Sequence, residues 1–144
     1  MGVLAWPIAC GGGVLFLTHK PRSYKALAGQ VDVIVSLLLP REYGGEGRQE
    51  SPIPVIDAPF LATKFPDDPT HLKTTVKQVV QLIATGKRVL VHCSAGIHRT
   101  GLFGYAVLRH AGETHQEALR MLVEARPLCI DATRFIERHG GRLL

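Results

Sequence analysis

The stretch that most narrows what this chain can become is residues 92–101, His-Cys-Ser-Ala-Gly-Ile-His-Arg-Thr-Gly, set between a largely apolar run at 88–91 and an apolar, helix-like run from Leu102. That order spells a strand, a tight loop and a helix N-terminus. A Cys opening such a loop sits where backbone N–H groups converge and the positive end of the helix dipole points, which favours thiolate over thiol. Cys93 is therefore the candidate nucleophile. The N–H groups of Ser94, Ala95, Gly96, Ile97, His98 and Arg99 can turn inward as a nest for a tetrahedral dianion, with Gly96 supplying the freedom such a curl needs. Arg99 lies far enough round the loop for its planar fork to face back and grip two oxygens, which a Lys could not do as well. Thr100 can cap the helix or donate to the sulfur, and His92 is placed to brace the loop.

With 46% hydrophobic residues in 144, the chain has the material for one globular domain spanning 1–144. Cys10, Cys93 and Cys129 are too few and too scattered for a disulfide framework or a zinc site, so a reducing compartment and no metal are expected. The formal charge of +5 draws in anionic partners without choosing among phosphoprotein, inositol phosphate and RNA. No apolar run reaches the length of a membrane span, and the first ten residues lack the pattern of a signal peptide. Trp6 occupies the place where a myristoylation motif wants Ser or Thr, and the final Gly-Arg-Leu-Leu offers no prenylation Cys. The expectation is a soluble, cytoplasmic protein, with access to the nucleus open, no membrane anchor and an oligomeric state the sequence leaves open.

Along the chain, residues 1–13 read as an irregular approach to a strand at 14–17, and Ser23 as the cap of a short helix to Gln30. Residues 31–39, almost all aliphatic, suggest a central strand with Asp32 at its entry. Residues 40–52 read as an exposed loop of low order, with Arg41, Glu42 and Arg48 as solvated charges. Prolines at 52 and 54 mark the strand at 53–56 as a sheet edge, and 57–69 as a long mobile loop. Leu72, Val76, Val79, Val80 and Ile83 fall at helical spacing up to Gly86. The helix after the Cys loop is apolar nearly all round to His110, a third helix starts at a Thr114/Glu117 capping box, and a last one carries Phe135 and Ile136. Strands alternating with helices imply an α/β fold. Its central, mostly parallel sheet of four to five strands is flanked by helices, and the loop joins a central strand to a helix N-terminus.

Cys-x5-Arg-Thr, preceded by His and carrying Gly three residues after the Cys, resembles the signature of the cysteine-based protein tyrosine phosphatases. The element order, Val-Asp-Val-Ile-Val-Ser-Leu at 31–37 and Glu-Ala-Arg-Pro at 124–127 resemble the small dual-specificity branch over nearly the whole chain. Phe-Leu-Thr-His-Lys-Pro at 16–21 is similar to the phosphatase of regenerating liver group, although that group's prenylated tail is absent and Thr100 stands where it usually has Ala.

The resemblance implies hydrolysis of phosphotyrosine, with phosphoserine and phosphothreonine open, in phosphorylated protein substrates. It implies a cysteinyl-phosphate intermediate, no cofactor and no stable nucleic acid partner. It also implies an Asp on an upstream loop that protonates the leaving group. Asp67, in Pro-Asp-Asp-Pro at 66–69, is the choice; Asp57 and Asp68 are alternatives, Asp68 also reading as a cap for the helix at Thr70. His98 replaces the Gly that many members carry before the Arg and is expected to be solvent-facing or structural. An RNA 5′-triphosphatase or an inositol phosphatase is the alternative within the superfamily, supported by Ile-His-Arg-Thr-Gly at 97–101 and weakened by the neutral Ser94, Ala95 and Ile97. A non-catalytic phosphate-binding adaptor is a further alternative, disfavoured because Cys93 and Arg99 are both present.

Overall fold

Strands form where the aliphatic runs are short and rich in branched residues. The computed structural model, which describes residues 7–45, 47–61 and 68–139, has five of them: β1 (Pro7–Cys10), β2 (Gly13–Thr18), β3 (Val33–Ser36), β4 (Val55–Asp57) and β5 (Arg88–His92). They make one sheet in the order β1-β2-β5-β3-β4, parallel apart from the β1–β2 hairpin. β5 lies between β2 and β3, with Thr18 and Ser36 registered beside His92 on either flank. The strand that delivers Cys93 is thus the middle one.

Four α-helices follow: α1 (Thr70–Ala84), α2 (His98–His110), α3 (His115–Ala125) and α4 (Ile130–Arg138). The sheet face made by Leu15, Leu17, Val33, Val35, Val89 and Val91 joins these helices in the main core, with α1 and α2 lying directly on β2 and β5. Ile34 and Leu90 point to the other face, which Tyr24, Leu27, Val31 and Ile53 cover from irregular segments. Every residue of α2 from Arg99 to Leu108 is buried, as its all-round apolar pattern implied.

Four local expectations need correction. From Pro7 on, the irregular N-terminal approach is the outer arm of a hairpin: Gly11 and Gly12, at φ 56° and 94°, make the left-handed turn that a two-residue loop requires. The helix expected over 23–30 contracts to a single 3-10 turn, Lys25–Leu27, where Ser23 Oγ accepts from the Ala26 N–H at 3.2 Å. It stops there because Tyr24 and Leu27 must drop onto the sheet before the chain turns back into β3. The 40–52 loop opens with a 3-10 helix, Pro40–Tyr43, whose first N–H groups are spared by Pro40 and whose Glu42 Oε1 accepts from Leu39 N–H at 2.8 Å. Of the expected capping box, Thr114 Oγ1 accepts from Glu117 N–H at 3.2 Å, while the Glu117 carboxylate turns to Arg120 instead.

Asp32 fastens the entry of β3 to that of β5. Its Oδ2 accepts from the Arg88 backbone N–H at 2.8 Å and from Nε at 3.1 Å, and its Oδ1 accepts from Nη2 at 3.1 Å. The Arg88 side chain, foremost, holds the Asp32 pKa down to about 2 from 3.8. A carboxylate with a depressed pKa contributes stability above its unfolded value and loses it as pH falls through its folded value. Asp32→Asn should therefore lower the urea midpoint at pH 7, and the gap from the wild type should close between pH 3.8 and about 2. Equal midpoints at pH 7 would show that the clasp is only a solvated surface pair.

Candidate active site

Cys93 leaves β5 at the carboxyl end of the sheet, 2% exposed. Its Sγ accepts from Gly96 N–H at 3.3 Å, so the loop does curl back over the sulfur. Thr100 Oγ1 lies 3.0 Å from that sulfur and 3.5 Å from Thr18 O. A hydroxyl has one proton, and the shorter contact directs it to the sulfur. Gly96 sits at φ 71°, and a Cβ there would stand 2.5 Å from the Thr18 carbonyl carbon and oxygen. Only glycine lets the loop pass that close to the end of β2.

His92 is fully buried and bonded at both ring nitrogens. Nδ1 is 3.1 Å from Cys93 O and Nε2 is 2.6 Å from the Tyr24 hydroxyl. A carbonyl can only accept, so Nδ1 carries the proton and Nε2 accepts from Tyr24. Burial is the main cause of a His92 pKa lowered to about 4, which keeps the ring neutral and this tautomer in place at neutral pH. The bracing expected of His92 is thereby given a second member, Tyr24, whose phenol burial keeps protonated.

Arg99 is 5% exposed, and its fork is already half engaged. Nη1 donates to Glu42 Oε1 at 2.6 Å, Phe60 O at 3.2 Å and Leu37 O at 3.3 Å; Nη2 donates to Glu42 Oε2 at 2.8 Å. Glu42 was expected as a solvated charge, and this two-point contact corrects that reading. The Arg99 hydrogen bond is the main cause of a Glu42 pKa lowered to about 2, and Glu42, foremost, with the nearby Cys93 sulfur raises that of Arg99. Among the described residues, Nε–H and the second Nη2 proton are not used on Glu42 or on the two carbonyls, and they lie side by side on one edge of the plane. That edge matches two oxygens of a tetrahedral anion.

A second cation, Arg126 at the end of α3, holds the loop from outside, with Nε donating to Gly96 O at 2.6 Å and Nη2 to Ala95 O at 3.2 Å. Its only sequence signal was the family-like Glu-Ala-Arg-Pro at 124–127. Lys20 N–H donates to Ser94 O at 2.9 Å from the β2 side. Ser94, Ala95 and His98 are exposed and Ile97 partly so, which puts them on the rim. Cys129 lies behind the loop, its Sγ 3.9 Å from Gly96 O and 3.8 Å from Ile97 O, and burial pushes its thiol up to about 11.

The three candidate acids part company. Asp57, at the end of β4, pairs with Arg48 and accepts from the Tyr43 hydroxyl at 3.4 Å; Arg48 too was expected to be merely solvated. Asp68 Oδ1 accepts from the Thr70 N–H at 3.0 Å, the capping role foreseen for it. Asp67 lies outside the described residues. Among the described residues no three His, Cys, Asp or Glu side chains converge as a metal site would need, and no helix is long and apolar enough to cross a membrane.

The arrangement places a sulfur, its two donors and an open guanidinium edge around one cradle, which suits attack on a tetrahedral phosphoryl group. Glu42 sets the angle of that edge. Glu42→Gln should lower kcat/KM for phenyl phosphate by about 10²-fold, the scale of a small misplacement of a reacting group. A rate near that of the wild type would reduce Glu42 to a counter-charge.

A model of the tyrosine phosphatase family matches residues 46–120. No curated protein matches the sequence. Among solved structures the fold is similar to that of Tk-PTP in its active form, at 22% identity over 94% of this chain and 95% of that one, with a TM-score of 0.67. It is similar to human DUSP28 at 21% identity over 92% and 99%, TM-score 0.64. It is also similar to a Cys-to-Ser form of TpbA from P. aeruginosa in complex with pTyr, at 23% identity over 93% and 87%, TM-score 0.59. The family match spans both the segment leading to the loop and the helix behind it, and on that ground this chain belongs to the tyrosine phosphatase family and is a protein phosphatase.

Proposed function

We propose that the chain hydrolyses phosphotyrosine in proteins, and phosphoserine or phosphothreonine where they fit, through a phosphate ester of Cys93. The observation that carries the reading is the pairing of a Cys93 sulfur held by two donors with an Arg99 edge left open beside it.

In the first step the Cys93 thiolate attacks phosphorus as the bond to the leaving oxygen breaks, giving a cysteinyl phosphate and an alkoxide or phenolate that must gain a proton. The loop N–H groups and the open edge of Arg99 hold the equatorial oxygens. In the second step water attacks phosphorus, giving its proton to the carboxylate that protonated the leaving group, and the S–P bond breaks, so the electron pair returns to sulfur, where Thr100 and Gly96 donate to it. Neither step calls for a metal or an organic cofactor. His92 touches no reacting atom and acts by positioning the Cys93 carbonyl.

We assign the leaving-group proton to Asp67. The support is by elimination as well as by resemblance: Asp57 is spent on Arg48 and Tyr43, and Asp68 on the start of α1. A free Cys93 as nucleophile suits a reducing, cytoplasmic setting.

If this is right, Asp67→Asn slows hydrolysis of a phosphate with a poor leaving group by roughly 10² to 10⁴-fold, the range of general acid catalysis, and matters far less for an activated aryl phosphate. Asp57→Asn and Asp68→Asn should cost little, and equally for both substrates. Leaving-group dependence in the Asp57 variant would move the acid to β4 and leave the rest of the mechanism standing.

A further inference from the structure

Beside the catalytic loop lies a cavity of about 480 Å³ lined by Lys20, Arg22, Tyr43, Arg48 and Gln49 together with Pro21 and Gly47. It opens at the carboxyl end of the sheet, between the segment that follows β2 and the one that follows β3. Lys20 belongs to both sites, since its backbone N–H donates to Ser94 O at 2.9 Å. Its ammonium donates to Glu42 O at 3.2 Å and stands 5.7 Å from the Tyr43 ring centre, which fixes it on the cavity wall. Gln49 ties the floor to the catalytic strand: its Oε1 accepts from Tyr24 N–H at 2.6 Å, and the Tyr24 hydroxyl bonds His92.

Among the described residues three cations thus line the cavity, and Arg48 is paired with Asp57 through a single nitrogen. Among the described residues, Lys20 keeps two of its three N–H donors and Arg48 four of its five, and the exposed Arg22 side chain forms no ion pair. The catalytic reaction as derived above uses none of these three charges.

We propose that this cavity is a second anion site, which receives an acidic or phosphorylated side chain flanking the scissile phosphotyrosine of a peptide substrate. The proposal rests on the protein phosphatase reading and names the class of sequence preferred. Because Lys20 touches both sites, a residue roughly two to four positions from the phosphotyrosine, at about 3.3 Å per extended residue, reaches the cavity. Its carboxylate or phosphate meets Lys20 and Arg22 first, with Arg48 behind them.

The test compares two peptides carrying a non-hydrolysable phosphotyrosine mimic, one with Glu and phosphoserine at the flanking positions and one with Ala, bound to the wild type and to Lys20→Gln/Arg22→Gln and followed by fluorescence anisotropy. The acidic peptide should bind the wild type roughly tenfold tighter, the scale of one charge-assisted contact. That advantage should fall close to one in the double variant and shrink as salt rises. Equal affinities in the wild type, or an advantage that survives the double substitution, would overturn the proposal. So would tighter binding of a 5′-triphosphorylated RNA that the same substitutions abolish, since it would assign the cavity to nucleic acid. Hydrolysis of the corresponding phosphotyrosine peptides is followed separately. If neither is cleaved, the phosphatase reading fails, while the affinity ratio still decides what the cavity takes.

Discussion

A loop that curls its N–H groups toward one point turns its carbonyls outward, and here outward means into the protein, where each carbonyl needs a donor. The fold supplies one for each. Cys93 O takes the His92 ring, Ser94 O the Lys20 amide, Ala95 O and Gly96 O the two arms of Arg126, and Ile97 O the Gly101 amide inside α2. Those donors come from β5, from the chain after β2, from the end of α3 and from α2. The order β2-β5-β3 is what brings them within reach, because a loop at the edge of the sheet would have one flank in water and half its carbonyls unheld.

Charge follows from the same burial. Arg99 stays ionised at 5% exposure, and Glu42 offsets the cost of burying that charge while leaving an edge of the guanidinium free of it. Two buried cysteines a few residues of structure apart then have opposite surroundings. Cys93 has two donors aimed at its sulfur; Cys129 faces loop carbonyls, and burial raises its pKa to about 11. The same Glu42 backbone carbonyl holds Lys20, so the wall between the catalytic cradle and the neighbouring cationic cavity is one shared set of contacts.

The loop was legible in the sequence because its chemistry is local: strand, Cys, Gly, Arg and helix start lie within about a dozen residues, and Gly96, Arg99 and Thr100 stand where spacing put them. The central position of β5, the burial of α2 and the cap at Asp68 were legible for the same reason, each resting on periodicity or a short-range bond. The partnerships of Glu42, Tyr24 and Arg126 were not, since their partners lie 57, 68 and 30 positions away and no local pattern pairs groups so far apart in the chain. The hairpin at Pro7–Cys10 was missed because three consecutive glycines read as slack, while two of them are the turn.

The defining event of the reaction is transfer of the phosphoryl group to Cys93. Acid quenching during turnover of a phosphotyrosine peptide, followed by phosphorus NMR and peptide mass spectrometry, should find phosphate on Cys93 as a thiophosphate ester in amounts approaching one per enzyme when breakdown is slow. Rapid turnover with no phosphate on the enzyme, or phosphate on any residue other than Cys93, would contradict it.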